Sequence, residues 1–303
     1  MGVIAKVDNL GSIPAYKEVS VVINFETKIY SSLAIASALK FIKRPIIIID
    51  CFSEDGSLDF FKNIFSTPEH NIYIVEMPLN IHGLTLDLIF KEIKSELVWL
   101  IDSDLEILKA DIILEMRAGI NESAENYGAG LLQQSCWLGP PYHNYPPKTY
   151  YYYERPFVPL TLLKTEEINQ LLLSGSSFAA KRVFNETSNH TISKFLSHRF
   201  KLPLLKMVKT IGKSGTDLPL IEEFDTAADL HKSATTSGLS FHKIDDRFWR
   251  DIFHFNGITR SKKAGAIYKL FCSLKLISQS QCSEYSDNLE KAKERLRLHF
   301  PSI

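Results

Sequence analysis

Leu97-Val98-Trp99-Leu100-Ile101-Asp102-Ser103-Asp104 decides how this chain folds. The apolar run is too short, and too rich in large side chains, to be anything but a buried strand, and it ends in two carboxylates one residue apart. Alternation along a strand directs Asp102 and Asp104 to one side and Ser103 to the other. Magnesium and manganese take oxygen ligands and usually arrive carrying phosphate oxygens, so paired acids at a strand end suit a metal-bound nucleotide. A solvated turn uses the same tripeptide, and the surrounding sequence has to separate the two readings.

Upstream, strand and helix patterns alternate. Val19 to Ile23 reads as a strand, Tyr30 to Phe41 as a helix, and Pro45 to Ile49 as a second strand, whose unbroken Ile run implies cover on both faces. Asp50 closes it, and the turn-rich Cys51-Phe52-Ser53-Glu54-Asp55-Gly56-Ser57 leads into a helix at Leu58 to Phe65. A third strand at Asn71 to Glu76 is followed by Asn80-Ile81-His82-Gly83 and a helix at Leu84 to Ser95. In a parallel sheet built this way Glu26, Asp50, His82 and Asp102 all reach one edge, where the ligand belongs.

Downstream the rhythm changes. A helix to Asn121 and a strand at Ala129 to Ser135 precede a loop dense in Pro and Tyr, Gly139 to Tyr153, which suits either a sugar-stacking surface or a packing lid. Leu171 to Ala180 reads as a strand with small residues at its centre. His198 to Lys213 is dense in cations and suits an anionic acceptor, a membrane surface or simply solvent. Ile267, Leu270, Phe271, Leu274 and Ile277, then Leu289, Leu296 and Leu298, mark an amphipathic helical tail.

Composition narrows the class. The chain has 303 residues, 45% of them hydrophobic, with 35 basic and 35 acidic side chains, so no overall field draws it to nucleic acid. Cys51, Cys136, Cys272 and Cys282 form no Cys-x-x-Cys pair, which suits free thiols in a reducing compartment. No apolar stretch approaches the roughly 18 residues of a membrane span. The expected location is the cytoplasm, with at most peripheral contact at the inner face of the membrane.

Taken in order, Asn24-Phe25-Glu26-Thr27, Ile46 to Ile49, Asp50-x-x-Ser53-x-Asp55-Gly56-Ser57, Asn80-x-x-Gly83 and Val98 to Asp104 resemble the nucleotide-sugar half of GT-A fold glycosyltransferases, family 2 above all. The resemblance implies an α/β fold, a Rossmann-like mixed and mostly parallel sheet flanked by helices. It implies that Asp50 contacts the nucleobase, that Phe25 and Glu26 line the nucleoside, and that Gly83 and Ser103 border the donor. Asp102 and Asp104 would hold manganese or magnesium on the diphosphate.

Phe253-His254-Phe255-Asn256-Gly257-Ile258-Thr259-Arg260 resembles the end of the catalytic domain in metal-dependent members of that fold. By that likeness His254 completes the metal shell, and Gly257 and Arg260 touch the diphosphate. An imidazole can join two carboxylates on manganese, and a cation near the phosphate favours departure of the nucleoside diphosphate. Ser174 to Phe184 is similar to the segment beneath the donor sugar, and Glu222 to Leu230 to the region that carries the catalytic base. Here Thr226-Ala227-Ala228-Asp229-Leu230 departs from the usual Glu-Asp-x-Asp-Leu, so Asp225 is the first choice of base, with Glu223 and Asp229 in reserve.

The resemblance thus implies a hexosyltransferase that moves a sugar from a nucleotide-diphosphate donor, UDP-sugar by expectation, to a hydroxyl on a glycan or lipid-linked acceptor. Residues 1–260 form its catalytic domain, with 18–108 as the nucleotide-sugar half and 109–260 as the acceptor half, and 261–303 a helical extension packed on it. Two other readings stay open: a sugar-phosphate nucleotidylyltransferase, and a non-catalytic nucleotide-sugar-binding protein. Donor sugar, linkage, stereochemical course and oligomeric state are not encoded in any motif.

Overall fold

The computed structural model describes residues 2–66, 68–78, 80–133, 149–152, 154–184, 221–255 and 279–301. In chain order the first half runs β1 (Ile4–Val7), β2 (Glu18–Asn24), α1 (Lys28–Phe41), β3 (Ile46–Asp50), α2 (Ser57–Ile64), β4 (Ile72–Glu76), α3 (His82–Glu92), β5 (Leu97–Asp102) and β6 (Leu105–Ile107). The second half runs α4 (Asp111–Ile120), β7 (Asn126–Gln133), β8 (Thr149–Tyr152), β9 (Arg155–Lys164), α5 (Thr165–Leu173), β10 (Lys181–Phe184), β11 (Ile221–Phe224), α6 (Ala228–Thr236), β12 (Ser240–Lys243), β13 (Ile252–His254) and α7 (Gln279–His299). An eight-stranded sheet in the order β1-β4-β3-β2-β5-β9-β7-β12 forms the centre. Its first five strands are parallel, β9 is antiparallel to both β5 and β7, and β12 rejoins β7 in parallel. This is the mixed, mostly parallel α/β sheet flanked by helices that the sequence leads one to expect.

The period of two sorts side chains between the faces. Val22, Ile46, Ile48, Ile74, Trp99 and Ile101 share one core with α1, α2 and α4. Val21, Ile47, Ile49, Val75, Val98 and Leu100 share the other with α3, α5 and α6. The unbroken Ile46–Ile49 run follows from this, because every position meets a helix layer.

The winding explains where a ligand can sit. From β2 the chain steps outward to β3 and β4 with α1 and α2 on one face, then returns past β2 to β5 with α3 on the opposite face. The direction of winding therefore reverses between β2 and β5, and a crevice opens at their carboxyl ends. Ile23 pairs with Asp102 there, so Asn24 and Asp102 border the same opening.

Several local expectations need correction. The strand ends at Asp102, and Ser103 and Asp104 form a turn into β6, so alternation does not aim Asp104. Leu171 to Leu173 belong to α5, not to a strand: Ile168, Leu171 and Leu172 are buried at helical spacing, and Glu166 and Glu167 favour the helix N-terminus. Gly175, at φ +95°, turns the chain away just beyond its end. The edge strand β1 was not foreseen. In the tail, Ala292 and Leu296 are buried against Tyr30, Leu33 and Phe255, whereas Leu298 is exposed. Ile267 to Ile277 lie outside the described residues, as do the Pro- and Tyr-rich loop at 139–148 and the cationic stretch at 198–213.

Candidate functional site

Asp102, Asp104 and His254 converge: one ligand atom from each lies within 4.8 Å of the other two. Local folding brings this about. The turn after β5 swings Asp104 back beside Asp102, and β13 then pairs antiparallel with β6, setting His254 opposite Leu105. The Phe255 N–H donates to the Asp104 carbonyl at 2.9 Å, and His254 Nε2 lies 3.1 Å from Asp104 Oδ1. Phe157 meets the His254 ring edge-on at 5.7 Å between centroids, which limits its rotation.

Ligands about 2.1 Å from a magnesium-sized ion lie roughly 3 to 4.2 Å apart, so this spread closes onto a divalent cation with a shift of under about 1 Å. Two carboxylate oxygens and one imidazole nitrogen are a donor set that can hold a divalent cation. The electrostatics agree. Burial pushes the Asp102 carboxyl above the ordinary carboxylate range; His82 opposes the rise, Asp104 adds to it, and His254 opposes it. Cationic charge at this point would offset that cost of burial. Ser103, between the two acids, is nearly buried.

The loops after β2 and β3 are laced into one unit. Asn24 Nδ2 donates to Asp50 Oδ1 at 2.6 Å and to Ser53 Oγ at 3.0 Å, while Ser53 N donates to Asp50 Oδ2 at 2.9 Å. Thr27 and Ser31 hydroxyls both donate to Asn24 Oδ1, and the Glu26 N–H donates to Ser53 Oγ. Lys28 N donates to Asp55 Oδ2, and Ser57 binds the other oxygen. Asp50 is thus fully buried, its carboxylate shaping the loop from within. Phe25 packs partly on the core beneath, and Glu26 is held at φ 52°.

Phe52 was not singled out by sequence. It is held at φ 54° and is 56% exposed, an aromatic ring kept outward by a loop in a left-handed conformation. Strain of this kind needs the surrounding network to sustain it, and it gathers at ligand sites. His82, placed at the ligand edge by sequence but given no role, has Nε2 at 3.7 Å from Asp102 Oδ1.

The acceptor-side candidates form a second group. Asp225 is exposed and pairs with Arg155 at 2.9 Å, while Arg155 also donates to the Thr226 carbonyl. Asp229 is buried, accepts from Ser177 N at 3.2 Å and pairs with Lys181 at 2.6 Å. Glu223 lies on β11, opposite Arg182. The loop between α5 and β10 is pinned from below by Asp87, which accepts from Phe178 N at 2.8 Å and Ser177 Oγ at 2.5 Å. Gly83 meets this loop by steric necessity, since a Cβ there would lie 2.4 Å from Ala179 Cα. Its described role is close packing of α3 on residues 178 and 179. Gly257 and Arg260 lie outside the described residues.

Among the described residues no helix is long and apolar enough to cross a membrane. No protein-family model matches the chain, and no curated protein sequence matches it. Similar solved structures include the mannosyltransferase PcManGT from Pyrobaculum calidifontis in complex with GDP-Man and Mn2+, at 10% identity over 53% of this chain and 48% of that one, TM-score 0.40. Glucosyl-3-phosphoglycerate synthase from Mycobacterium tuberculosis in complex with Mn2+ and uridine-diphosphate-glucose matches at 12% identity over 50% of this chain and 57% of that one, TM-score 0.34. 4-Diphosphocytidyl-2C-methyl-D-erythritol synthase from Anaerococcus prevotii matches at 10% identity over 72% of this chain and 95% of that one, TM-score 0.37. The chain spans about half the length of the first of these structures.

Proposed function

We propose that this chain transfers a sugar from a nucleoside-diphosphate donor, UDP-linked by preference, to a hydroxyl on a glycan or lipid-linked acceptor. The observation that carries this reading is the convergence of Asp102, Asp104 and His254 at the crevice where the sheet reverses its winding. These three side chains would hold manganese or magnesium, which when bound supplies a Lewis acid that offsets charge on the departing diphosphate. His82, within reach of Asp102, borders the same position. Gly257 and Arg260 follow His254 closely in sequence and are proposed to contact the diphosphate.

The nucleoside is assigned to the laced loops. Asn24, Asp50 and Ser53 keep them rigid, Phe25 and Glu26 line the floor, and the exposed Phe52 ring offers a stacking surface for the base. On the acceptor side, an inverting transfer breaks the bond between the anomeric carbon and the diphosphate oxygen, forms one to the acceptor oxygen, and sends the acceptor proton to a carboxylate. Asp225 is proposed for that proton because it is exposed and oriented by Arg155, whereas Asp229 is committed to Lys181 and Ser177. A nucleotidylyltransferase would need a Gly-rich basic loop after β2. Asn24 to Lys28 contains no Gly, and the Asn24 amide, the Glu26 N–H and Lys28 are engaged with residues 50–55.

The test is manganese-stimulated release of nucleoside diphosphate from a panel of nucleotide sugars. Asp104→Ala should lose metal-dependent donor binding, and Asp225→Asn should keep donor binding and lose transfer. Loss of folding in both variants alike would make these residues structural and remove the assignment.

A further inference from the structure

Glu106 is 5% exposed on β6, two residues after Asp104. A carboxylate so deeply buried needs partners, and both come from α7. Arg295 Nε donates to Glu106 Oε2, and His299 Nε2 lies 3.3 Å from Oε1. Across the β6–β13 ladder Glu106 faces Phe253, whose ring lies 4.4 Å from Lys291 Nζ and 5.3 Å from Arg295 Cζ. The next residue is His254. The same helix buries Ala292 and Leu296 against Tyr30, Leu33 and Phe255. It therefore grips both strands of the ladder that carries Asp104 and His254.

We infer that Glu106 and Arg295 are positioning residues for the metal site, with α7 holding β6 and β13 together so that Asp104 and His254 stay at binding distance. This rests on the metal reading above. A two-stranded sheet of three residue pairs is too small to hold its own geometry, so its shape must be imposed from outside. The groups that reach it from α7 are Lys291, Arg295 and His299. Ligand preorganisation sets affinity, so loosening the ladder that carries two of the ligands should weaken metal binding.

The experiment is manganese titration of the full chain, read by the paramagnetic resonance signal of the free ion, with thermal melting in parallel. Arg295→Ala should weaken Asp104-dependent manganese binding severalfold, and Arg295→Lys should restore most of it. Phe90→Leu, in the core on the other face of the sheet, should lower the melting temperature and leave manganese affinity unchanged. If Arg295→Ala does not fold, His299→Gln takes its place and should weaken binding severalfold. Wild-type affinity in the folded variant overturns the inference while the metal reading stands. Manganese binding that Asp104→Ala leaves untouched overturns the metal reading and this inference with it.

Discussion

His254 Nε2 lies 3.1 Å from Asp104 Oδ1, joining residues 150 positions apart in the chain. Neither residue reaches the other through its own strand alone. Asp104 is placed by the turn after β5, and His254 by the short ladder that pairs β13 with β6. The pair stands at the carboxyl end of the parallel sheet, where an atom of Asp102 that could serve as a third ligand lies within 4.8 Å of both. A divalent ion would bridge the three, and the account of function depends on that bridge.

The exposed Phe52 ring should contribute directly to nucleotide affinity. Stacking on a base is worth about 1–3 kcal/mol, so Phe52→Ala should weaken nucleoside-diphosphate binding by about 5- to 150-fold with little change in melting temperature. Phe52→Tyr should bind as the native chain does. Fluorescence titration with a labelled nucleotide checks both, and unchanged affinity in Phe52→Ala would place the base elsewhere.

Gly83→Ala should destabilise the fold. At an open helical position the change would gain about 1 kcal/mol. Here the new Cβ would fall 2.4 Å from Ala179 Cα, against backbone that cannot simply rotate away. Overpacking of this kind costs about 1–3 kcal/mol, measurable by urea denaturation. Because Asp87 ties the same loop to α3, Asp87→Ala should destabilise as well, through the unsatisfied Phe178 N–H and Ser177 hydroxyl.

Glu18 sets part of the acid limit of the fold. Burial alone would raise its carboxyl, but hydrogen bonds from Arg117 and Trp99, with the charges of Arg117 and Arg44, hold it below the ordinary carboxylate range. A group whose folded value is depressed stabilises the protein above its unfolded value, and that contribution is lost as pH falls through the folded one. Stability should therefore decline below about pH 4.5, and Glu18→Gln should flatten that decline. Urea denaturation across an acidic pH series, followed by tryptophan fluorescence, measures the slope.

The sequence was most legible where function and secondary structure coincide. The Ile46–Ile49 run and the apolar stretch before Asp102 specify buried parallel strands, because two helix layers leave no polar side. Asp102 and Asp104 stood out as acids at a strand end, His254 only through the resemblance of Phe253 to Arg260 to metal-dependent transferases, and the structure brings the three together. How they meet was not legible, since it depends on a turn and on a three-residue ladder. Leu171 to Ala180 misled because a short apolar run fits either period, and only the buried spacing of Ile168, Leu171 and Leu172 identifies the helix. Asp50 was visible at a strand end, but its complete burial depends on Asn24 and Ser53 folding over it. The Glu106–Arg295 pair joins positions 189 apart, and no local pattern links them.

Calorimetric titration of uridine diphosphate into the folded chain, with and without manganese and repeated on His254→Ala, tests the central claim most directly. The account predicts binding that requires manganese and weakens markedly in the variant. Binding that ignores both the metal and His254, or no binding under either condition, would contradict it.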